Sequence, residues 1–265
     1  MSTDAGDVRK DSRWHVVGAS VRGGSHHKNG QPCQDAHSWR VLPNGGVVVA
    51  VADGAGSSTL SQIGSARAAL SSVEWVYEMI GTNTPSTDDE WRDLLKVAMQ
   101  TAHESVLTAA SMRKVTPRDL ATTLIVTIAM PNIVVSAQVG DGASVVMTDA
   151  QNLIAVTAPQ RGEFANETTF FTSPNYLDIV QIGIWRGAVK GMAALSDGLQ
   201  LLALRMPEAS PHPAFFAPLF RVVADSEDLM ETQEQLHNFL RSDRIQHRAD
   251  DDLTLVLGIL HSPEA

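Results

Sequence analysis

Three apolar runs in this 265-residue chain break off at the same dipeptide. Val47-Val48-Val49-Ala50-Val51-Ala52 ends on Asp53-Gly54, the run from Ile133 to Val139 ends on Gly140-Asp141-Gly142, and a third, from Val189 to Leu195, ends on Ser196-Asp197-Gly198. Short runs of Val, Ile and Ala closed by a turn dipeptide predict buried strands. A strand that only had to stop could do so at Asn-Gly or Pro. An acid at each exit, beside a glycine that lets another group approach the backbone, suggests a site wherever the acids converge. Taken singly, an Asp-Gly pair is most often a plain turn. The repetition is what points to convergence, and spacing alone does not establish it.

The rest of the chain supplies a frame for those exits. Trp14 to Val21 is short, β-branched and alternating, and so predicts a strand. A Gly-, His- and polar-rich loop, "RGGSHHKNGQPCQDAH", leads from it to the strand at 46–52. Leu60, Ile63, Leu70, Val73, Tyr77 and Ile80 then recur at helical spacing. Thr87 with Glu90 forms a capping-box pattern that opens a second helix carrying Trp91, Leu94, Leu95, Ala98 and Ala102. A hairpin follows: alternating residues 124–129, a turn at Pro131-Asn132, and a return through Ile133, Val135, Ala137 and Val139. Strand-like pieces are predicted at 144–148, 152–157, 168–172, 178–183 and 189–195, with a helix from Leu199. The four prolines within 206–218 predict an irregular loop, 226–242 predicts a polar helix, and "DDLTLVLGIL" a closing strand that starts with acids. Two helices, many short strands, then helices and a last strand make an α+β pattern with antiparallel sheets, because the strand connections are too short for parallel crossovers.

Acids therefore stand at Asp35, Asp53, Asp141, Asp197 and Asp250–Asp252, each where an apolar strand meets a turn. Carboxylates brought within a few ångströms repel unless protons or a cation neutralise them. Hard divalent ions such as Mg²⁺ and Mn²⁺ prefer such oxygen ligands, and a pair of them can activate a water for attack on phosphorus. The net charge of −10 suits that chemistry and argues against a nucleic-acid or anionic-membrane surface. Cys33, the only cysteine, excludes an intrachain disulfide and a thiolate zinc site, and fits a reducing compartment. No apolar stretch approaches the roughly 18–20 residues of a membrane span. The expectation is a soluble cytoplasmic protein, with a polar arm over 1–12 that lacks the apolar core of a secretory leader and one domain over 13–262.

The motifs "QD" (34–35), "VADGAGSS" (51–58), "ATTL" (121–124), "VGDG" (139–142), "LSDG" (195–198) and "DDLTLV" (251–256) come in an order that resembles the metal-dependent serine/threonine protein phosphatases of type 2C. The opening "GGSHHKNGQPCQD" is similar to that of a bacterial subgroup. The resemblance spans roughly residues 14 to 260. It implies a four-layer α/β/β/α sandwich with two central antiparallel sheets, and hydrolysis of phosphoserine or phosphothreonine in proteins by a water held between two Mn²⁺ or Mg²⁺ ions. It further implies that Asp53 bridges the metals with the Gly54 carbonyl on one of them, that Asp197 and Asp251 hold the other, that Asp35 acts through bound waters, and that Asp141 supports a third ion. Members are often encoded with a Ser/Thr kinase, which implies a cognate kinase as partner.

The departures are informative. Gln34 stands where eukaryotic members have Glu, and can bond a metal-held water without adding charge. Ala55 stands where they have a His that serves as general acid. The phosphate-gripping Arg has no counterpart near Gly30; His26, His27, Lys28 and Arg22 are the substitutes in the same loop, and His26 is favoured because it occupies the subgroup's "SH" position. The alternative for His26 is a solvent-facing loop residue. Ser57 and Ser58 either contact phosphate or cap the following helix, with capping the simpler role. Cys33 reads as a packed small residue, and Thr122 and Thr123 as supports for the site. Two other functions stay open at this stage: a catalytically weak phosphatase-like module that binds phosphoproteins or a partner, and a metal-dependent phosphoesterase acting on a small metabolite.

Overall fold

Residues Val47–Ala52 form a strand in which every residue is buried, and the reason is that both of its faces are covered. Val48, Ala50 and Ala52 pack into a core shared with two long helices, while Val47, Val49 and Val51 pack into a second core between two sheets. A strand's side chains alternate between faces, so a strand with a layer on each side reads as an unbroken apolar run.

The structure, a computed structural model, describes residues 14–81, 83–160 and 170–261. The arm expected over 1–12 lies outside the described residues. In chain order they form β1 (Trp14–Val21), α1 (Gly24–Lys28), β2 (Ala36–Val41), β3 (Val47–Ala52), α2 (Ser61–Ile80), α3 (Asp88–Arg113), β4 (Leu124–Met130), β5 (Ile133–Val139), β6 (Ala143–Thr148) and β7 (Leu153–Thr157). There follow α4 (Tyr176–Ile179), β8 (Gln181–Arg186), β9 (Val189–Leu195), α5 (Gln200–Ala203), β10 (Leu204–Arg205), β11 (Ser210–Pro211), α6 (Pro213–Ala224), α7 (Leu229–Arg241), α8 (Asp243–Gln246) and β12 (Leu253–Leu260). One sheet has the order β2-β3-β4-β5-β8 and the other β1-β12-β9-β6-β7, with β10 and β11 as a separate small ribbon. Helices α2 and α3 cover the first sheet through Val73, Val76, Leu95 and Met99. Helices α6 and α7 cover the second through Phe216, Phe220, Leu236 and Leu240. Trp14, Trp39, Val146, Met192 and Val256 fill the space between the sheets. This is the α+β sandwich with two antiparallel sheets that the sequence predicts.

Antiparallel register decides where the acids go. In such a pair the exit of one strand lies beside the entry of its neighbour. Ala36 pairs with Ala52, so Asp35 at the entry to β2 comes beside Asp53 at the exit of β3. Leu195 pairs with Ala143 on one side and Leu255 on the other, so Asp197 leaves β9 between the entries that carry Asp141 and Asp251. All five acids reach one end of the sandwich.

Several local expectations are corrected. The loop after β1 contains the five-residue helix α1 and is followed by β2, which the sequence reading passed over. The strand expected at 168–172 is a turn from Phe171 onward, and its residues 168 and 169 lie outside the described residues. The piece at 178–183 begins instead as α4 and becomes β8 only at Gln181. The helix expected from Leu199 is a 3-10 turn over Asp197–Leu199 followed by the four-residue α5. The latter part of the expected irregular segment 206–218 is instead the start of α6, whose Pro213 sits in the first turn where no N–H is needed. Pro218 lies inside this helix, at a cost of about 3 kcal/mol. Burial of Phe216, Phe220 and Val223, at about 1.5–3 kcal/mol each, offsets it.

Candidate metal centre

The turn after β3 is held from both sides. The Asp53 carbonyl accepts the Thr123 N–H at 2.8 Å and the Thr122 hydroxyl at 2.9 Å. The Asp53 N–H donates to Thr123 Oγ1 at 3.0 Å. Thr122 and Thr123 thus support the site, by hydrogen bonds to the backbone that carries the acid. Gly54 is needed for contact: a Cβ there would lie 2.6 Å from the Gln34 carbonyl oxygen and 2.8 Å from Ser61 Cβ. Gly198 does the same for the Asp197 turn, where a Cβ would meet the Asp252 carbonyl oxygen at 2.1 Å. Gly54 and Gly198 thus each let an acid-bearing turn stack on the approach that carries another acid, and this is how two of the three dipeptides contribute to convergence.

The remaining acids are also placed by bonds. Asp35 Oδ2 accepts the Ser196 hydroxyl at 2.7 Å, and Ser196 Oγ accepts the Thr254 N–H at 2.9 Å, which ties the entry of β2 to the second sheet. The turn bearing Asp141 is braced by the Gln138 amide, which donates to the carbonyls of Gly140 at 2.9 Å and Gly142 at 2.7 Å. Gln160 Oε1 accepts the Gly140 N–H at 2.9 Å.

Asp53, Asp141 and Asp197 each offer an oxygen within 4.8 Å of the other two, and His26, Asp251 and Asp252 form a second such group. The first group is electrostatically costly. Burial, then the charges of Asp35 and Asp197, push Asp53 well above the ordinary carboxylate range. Asp35 is pushed up to about 8, by burial first and by Asp252 second. Asp197 rises to about 6 through burial; its bond to Asp53 pulls the other way, and Asp141 and Asp251 add repulsion. Asp35 Oδ1 and Asp197 Oδ1 are buried with no hydrogen-bond partner. Buried carboxylate oxygens without donors are costly, and an oxygen-seeking divalent cation removes that cost. The donor set therefore fits a hard metal.

The other residues singled out from sequence fall around this edge. Asp251 is half-exposed and lies near enough to Asp53 to raise its pKa. Gln34 is buried, and its amide donates to Gln31 Oε1 at 3.3 Å, so it braces the loop from beneath. Ser57 is exposed on the turn. The capping role expected for Ser57 and Ser58 is not found: the cap position of α2 is Leu60, without a side-chain bond, and Ser58 donates to the Arg118 carbonyl at 2.8 Å. Cys33 is partly buried, and burial together with Asp35 and Asp252 pushes its thiol strongly up, so it is no nucleophile. Arg22 donates to the Gln31 carbonyl at 3.1 Å. His26 is mostly covered, with Nδ1 2.9 Å from Asp252 Oδ2 and Nε2 3.9 Å from Asp251 Oδ1. Sequence reasoning passed over Ser196, and it named Asp252 only as part of the Asp250–Asp252 run, without a role of its own. The available signal was adjacency, since each neighbours an acid given a metal role.

A family model described as "Protein phosphatase 2C" matches residues 22–241. "Serine/threonine-protein phosphatase 3" of Escherichia coli (strain K12) is 32% identical over 252 residues, covering 93% of this chain and 98% of that protein. Among solved structures, the serine/threonine phosphatase Stp1 from Staphylococcus aureus superposes with a TM-score of 0.60 at 13% identity, covering 93% of this chain and 95% of the other. The serine/threonine phosphatase of S. agalactiae gives 0.62 at 16% identity, covering 94% and 100%. At that identity the two structures speak for the fold.

Proposed function

This chain belongs to the protein phosphatase 2C family, and we propose from that membership and from its carboxylate edge that it is a metal-dependent hydrolase of phosphoserine and phosphothreonine in proteins. The observation that carries this reading is the Asp53–Asp141–Asp197 group: three carboxylate oxygens within 4.8 Å of one another, with the first and last of these acids held above their ordinary pKa. A binding-only module has no need of that arrangement.

In this reading Asp53, with the Gly54 carbonyl, and Asp197 with Asp251 would hold a pair of Mn²⁺ or Mg²⁺ ions, Asp35 would act through water, and Asp141 would support a third ion. When bound, the ions offset the carboxylate charge and acidify a water for in-line attack on phosphorus. The chain's own work is to keep the acids still: Thr122 and Thr123 clamp the Asp53 backbone, and Ser196 holds one oxygen of Asp35. His26, at the mouth of the loop, is the residue we assign to the phosphate, with Ser57 on the facing turn. Ala55 offers no proton, so the leaving oxygen takes its proton from water or from another residue. Aryl phosphates, with their better leaving groups, therefore lose less than alkyl ones from the lack of a general acid, which is typically worth about 10²–10⁴-fold.

We also assign residues 13–262 to one catalytic domain acting in the cytoplasm, where a lone cysteine stays reduced, and expect a Ser/Thr kinase as its opposing partner. No helix of the described residues is long and apolar enough to cross a membrane. The test is hydrolysis of p-nitrophenyl phosphate and of a phosphothreonine peptide with Mn²⁺, with Mg²⁺ and with EDTA, with Asp53→Asn beside the wild type. Turnover that needs the metal and is lost in the variant supports the reading. Turnover untouched by EDTA or by Asp53→Asn would remove it.

A further inference from the structure

Gln138 is wholly buried near the end of β5, and its side chain serves the backbone around it. The amide nitrogen donates to three carbonyls: Gly142 at 2.7 Å, Gly140 at 2.9 Å and Ala158 at 3.2 Å. Three acceptors around one atom fix which end of the amide is nitrogen. The other end, Oε1, is buried with no hydrogen-bond partner among the described residues. A bare buried acceptor is costly. A residue kept in the core at that cost is explained by the bonds its nitrogen makes.

Two of those carbonyls flank Asp141, and their turn is wedged between the elements that place the other two acids of the triangle. Gly140 has a φ of +117°, and a Cβ on it would lie 2.5 Å from Thr123 Cγ2. Thr123 in turn accepts the Asp53 N–H. A Cβ on Gly142 would lie 2.3 Å from the carbonyl oxygen of Leu195, at the end of the strand that leads to Asp197. The Asp141 turn therefore meets the support of Asp53 through one glycine and the strand of Asp197 through the other. Gln138 holds the carbonyls of both. Two more glutamines extend the brace. Gln160 accepts the Gly140 N–H at 2.9 Å and donates to the Ile179 carbonyl at 2.6 Å. Gln181, opposite Gln138 in the β5–β8 pair, accepts the Ala158 N–H at 3.0 Å.

We propose that Gln138 is a positioning residue: by holding the Gly140 and Gly142 carbonyls it sets the place of the Asp141 carboxylate beside Asp53 and Asp197, and so the affinity of the ion that Asp141 would support. The inference rests on the phosphatase reading and adds to it a neutral residue that acts through Asp141 and is not itself a ligand. A carboxylate held in place beforehand binds an ion more tightly than one that must be ordered on binding. Residues that orient a ligand from behind are typically worth about 10–100-fold in metal affinity.

Mn²⁺ binding, read from the electron paramagnetic resonance of the free ion, tests this without relying on turnover. Wild type, Gln138→Met, Asp141→Ala and the double variant are compared, with melting in EDTA to establish that each is folded. Asp141→Ala is expected to weaken or remove the most loosely held Mn²⁺. Gln138→Met keeps the length of the side chain and loses the donor; it is expected to weaken that same ion about tenfold while the tighter ions move by less than about twofold. The double variant is expected to bind no more weakly than Asp141→Ala. An unchanged isotherm for either single variant, an equal weakening of every ion, or a double variant weaker than Asp141→Ala would overturn the inference. If Gln138→Met does not fold, Gln138→Asn takes its place, with the amide kept on a shorter stem. It is expected to weaken the same ion at least about threefold, and an unchanged isotherm overturns the proposal. Hydrolysis of p-nitrophenyl phosphate by the wild type, with Mn²⁺ and with EDTA, separates the two readings. Metal-dependent turnover beside any overturning isotherm removes this inference alone, and its absence from the folded wild type removes both.

Discussion

Two sets of buried aspartates lie side by side at one end of this sandwich, and they are treated in opposite ways. Asp252 has donors on both oxygens, two of them backbone N–H groups. Asp53 and Asp197 crowd each other and are both pushed up in pKa, and Asp35 and Asp197 each keep a buried oxygen with no partner. A fold can place donors on a buried carboxylate, as it does for Asp252. For Asp35 it supplies one, the Ser196 hydroxyl on Oδ2, and leaves Oδ1 bare, as it leaves Asp197 Oδ1. Satisfied burial marks a residue that holds the structure together, and a buried carboxylate oxygen without a donor suits a cation.

The comparison breaks most visibly in the response to substitution. Asp53→Asn is expected to lower metal-dependent turnover by about three orders of magnitude or more, because the proposed function makes Asp53 a shared metal ligand, while thermal unfolding of the metal-free protein shifts little or upward, since a repelling charge is gone. Parallel assays of p-nitrophenyl phosphate hydrolysis and metal-free melting decide this; a large loss of stability with modest loss of turnover would reverse the assignment. Asp252→Ala should do the opposite on the folding side. It strands the N–H groups of Gly23 and Gln34, and a loss of about 3 kcal/mol is expected from their unsatisfied burial, measurable by urea denaturation in EDTA.

The difference should also appear as pH dependence. Asp35 and Asp197 hold protons more tightly folded than unfolded, their pKa values being raised from 3.8 to about 8 and about 6. A raised folded pKa gives stability that is complete below the unfolded value and is lost as pH climbs to the folded one. The metal-free protein should therefore lose stability across about pH 4 to 8, through both acids below about pH 6 and through Asp35 alone above it. Metal binding must displace those protons, so divalent ions should stabilise more as pH rises through the same window. Melting curves with EDTA and with excess Mn²⁺ at several pH values test the sign. A metal-free protein that gains stability from pH 5 to 8 would contradict it.

How much of this was legible in the sequence follows from where each signal is local. The β3 run, the 124–139 hairpin and the Thr87–Glu90 capping box are local, and all were readable; the box is formed in the structure with both of its bonds. Edge strand β2 was missed because only Trp39 is buried, leaving no apolar alternation to see. Helix α6 was missed because prolines dominate the local signal, while its stability comes from Phe216 and Phe220 reaching a sheet built from both ends of the chain. The acids at the strand exits were legible as types and positions, but their convergence depends on register, which pairs residues far apart. Asp252 was hidden for the same reason: its partners Gly23 and Gln34 lie 229 and 218 residues away.

The smallest expected effect concerns Asp141, the acid that sharpens the comparison within the unsatisfied group itself. It stands in the same triangle as Asp53 and Asp197, but its turn is braced by Gln138 and Gln160 rather than by the turns that carry the other acids. Asp53 and Asp197 raise or hold each other's pKa directly, and Asp141 enters only as a nearby charge on Asp197. Removing it should relieve repulsion without dismantling the pair. Asp141→Ala is therefore expected to leave turnover at saturating Mn²⁺ within about threefold of wild type and to move the half-saturating metal concentration upward by about tenfold, the scale of one weak ligand. A metal titration of hydrolysis for both proteins reads the two quantities separately. Coincident titrations would place Asp141 outside the metal set, and a collapse of turnover at saturating metal would promote it to the rank of Asp53.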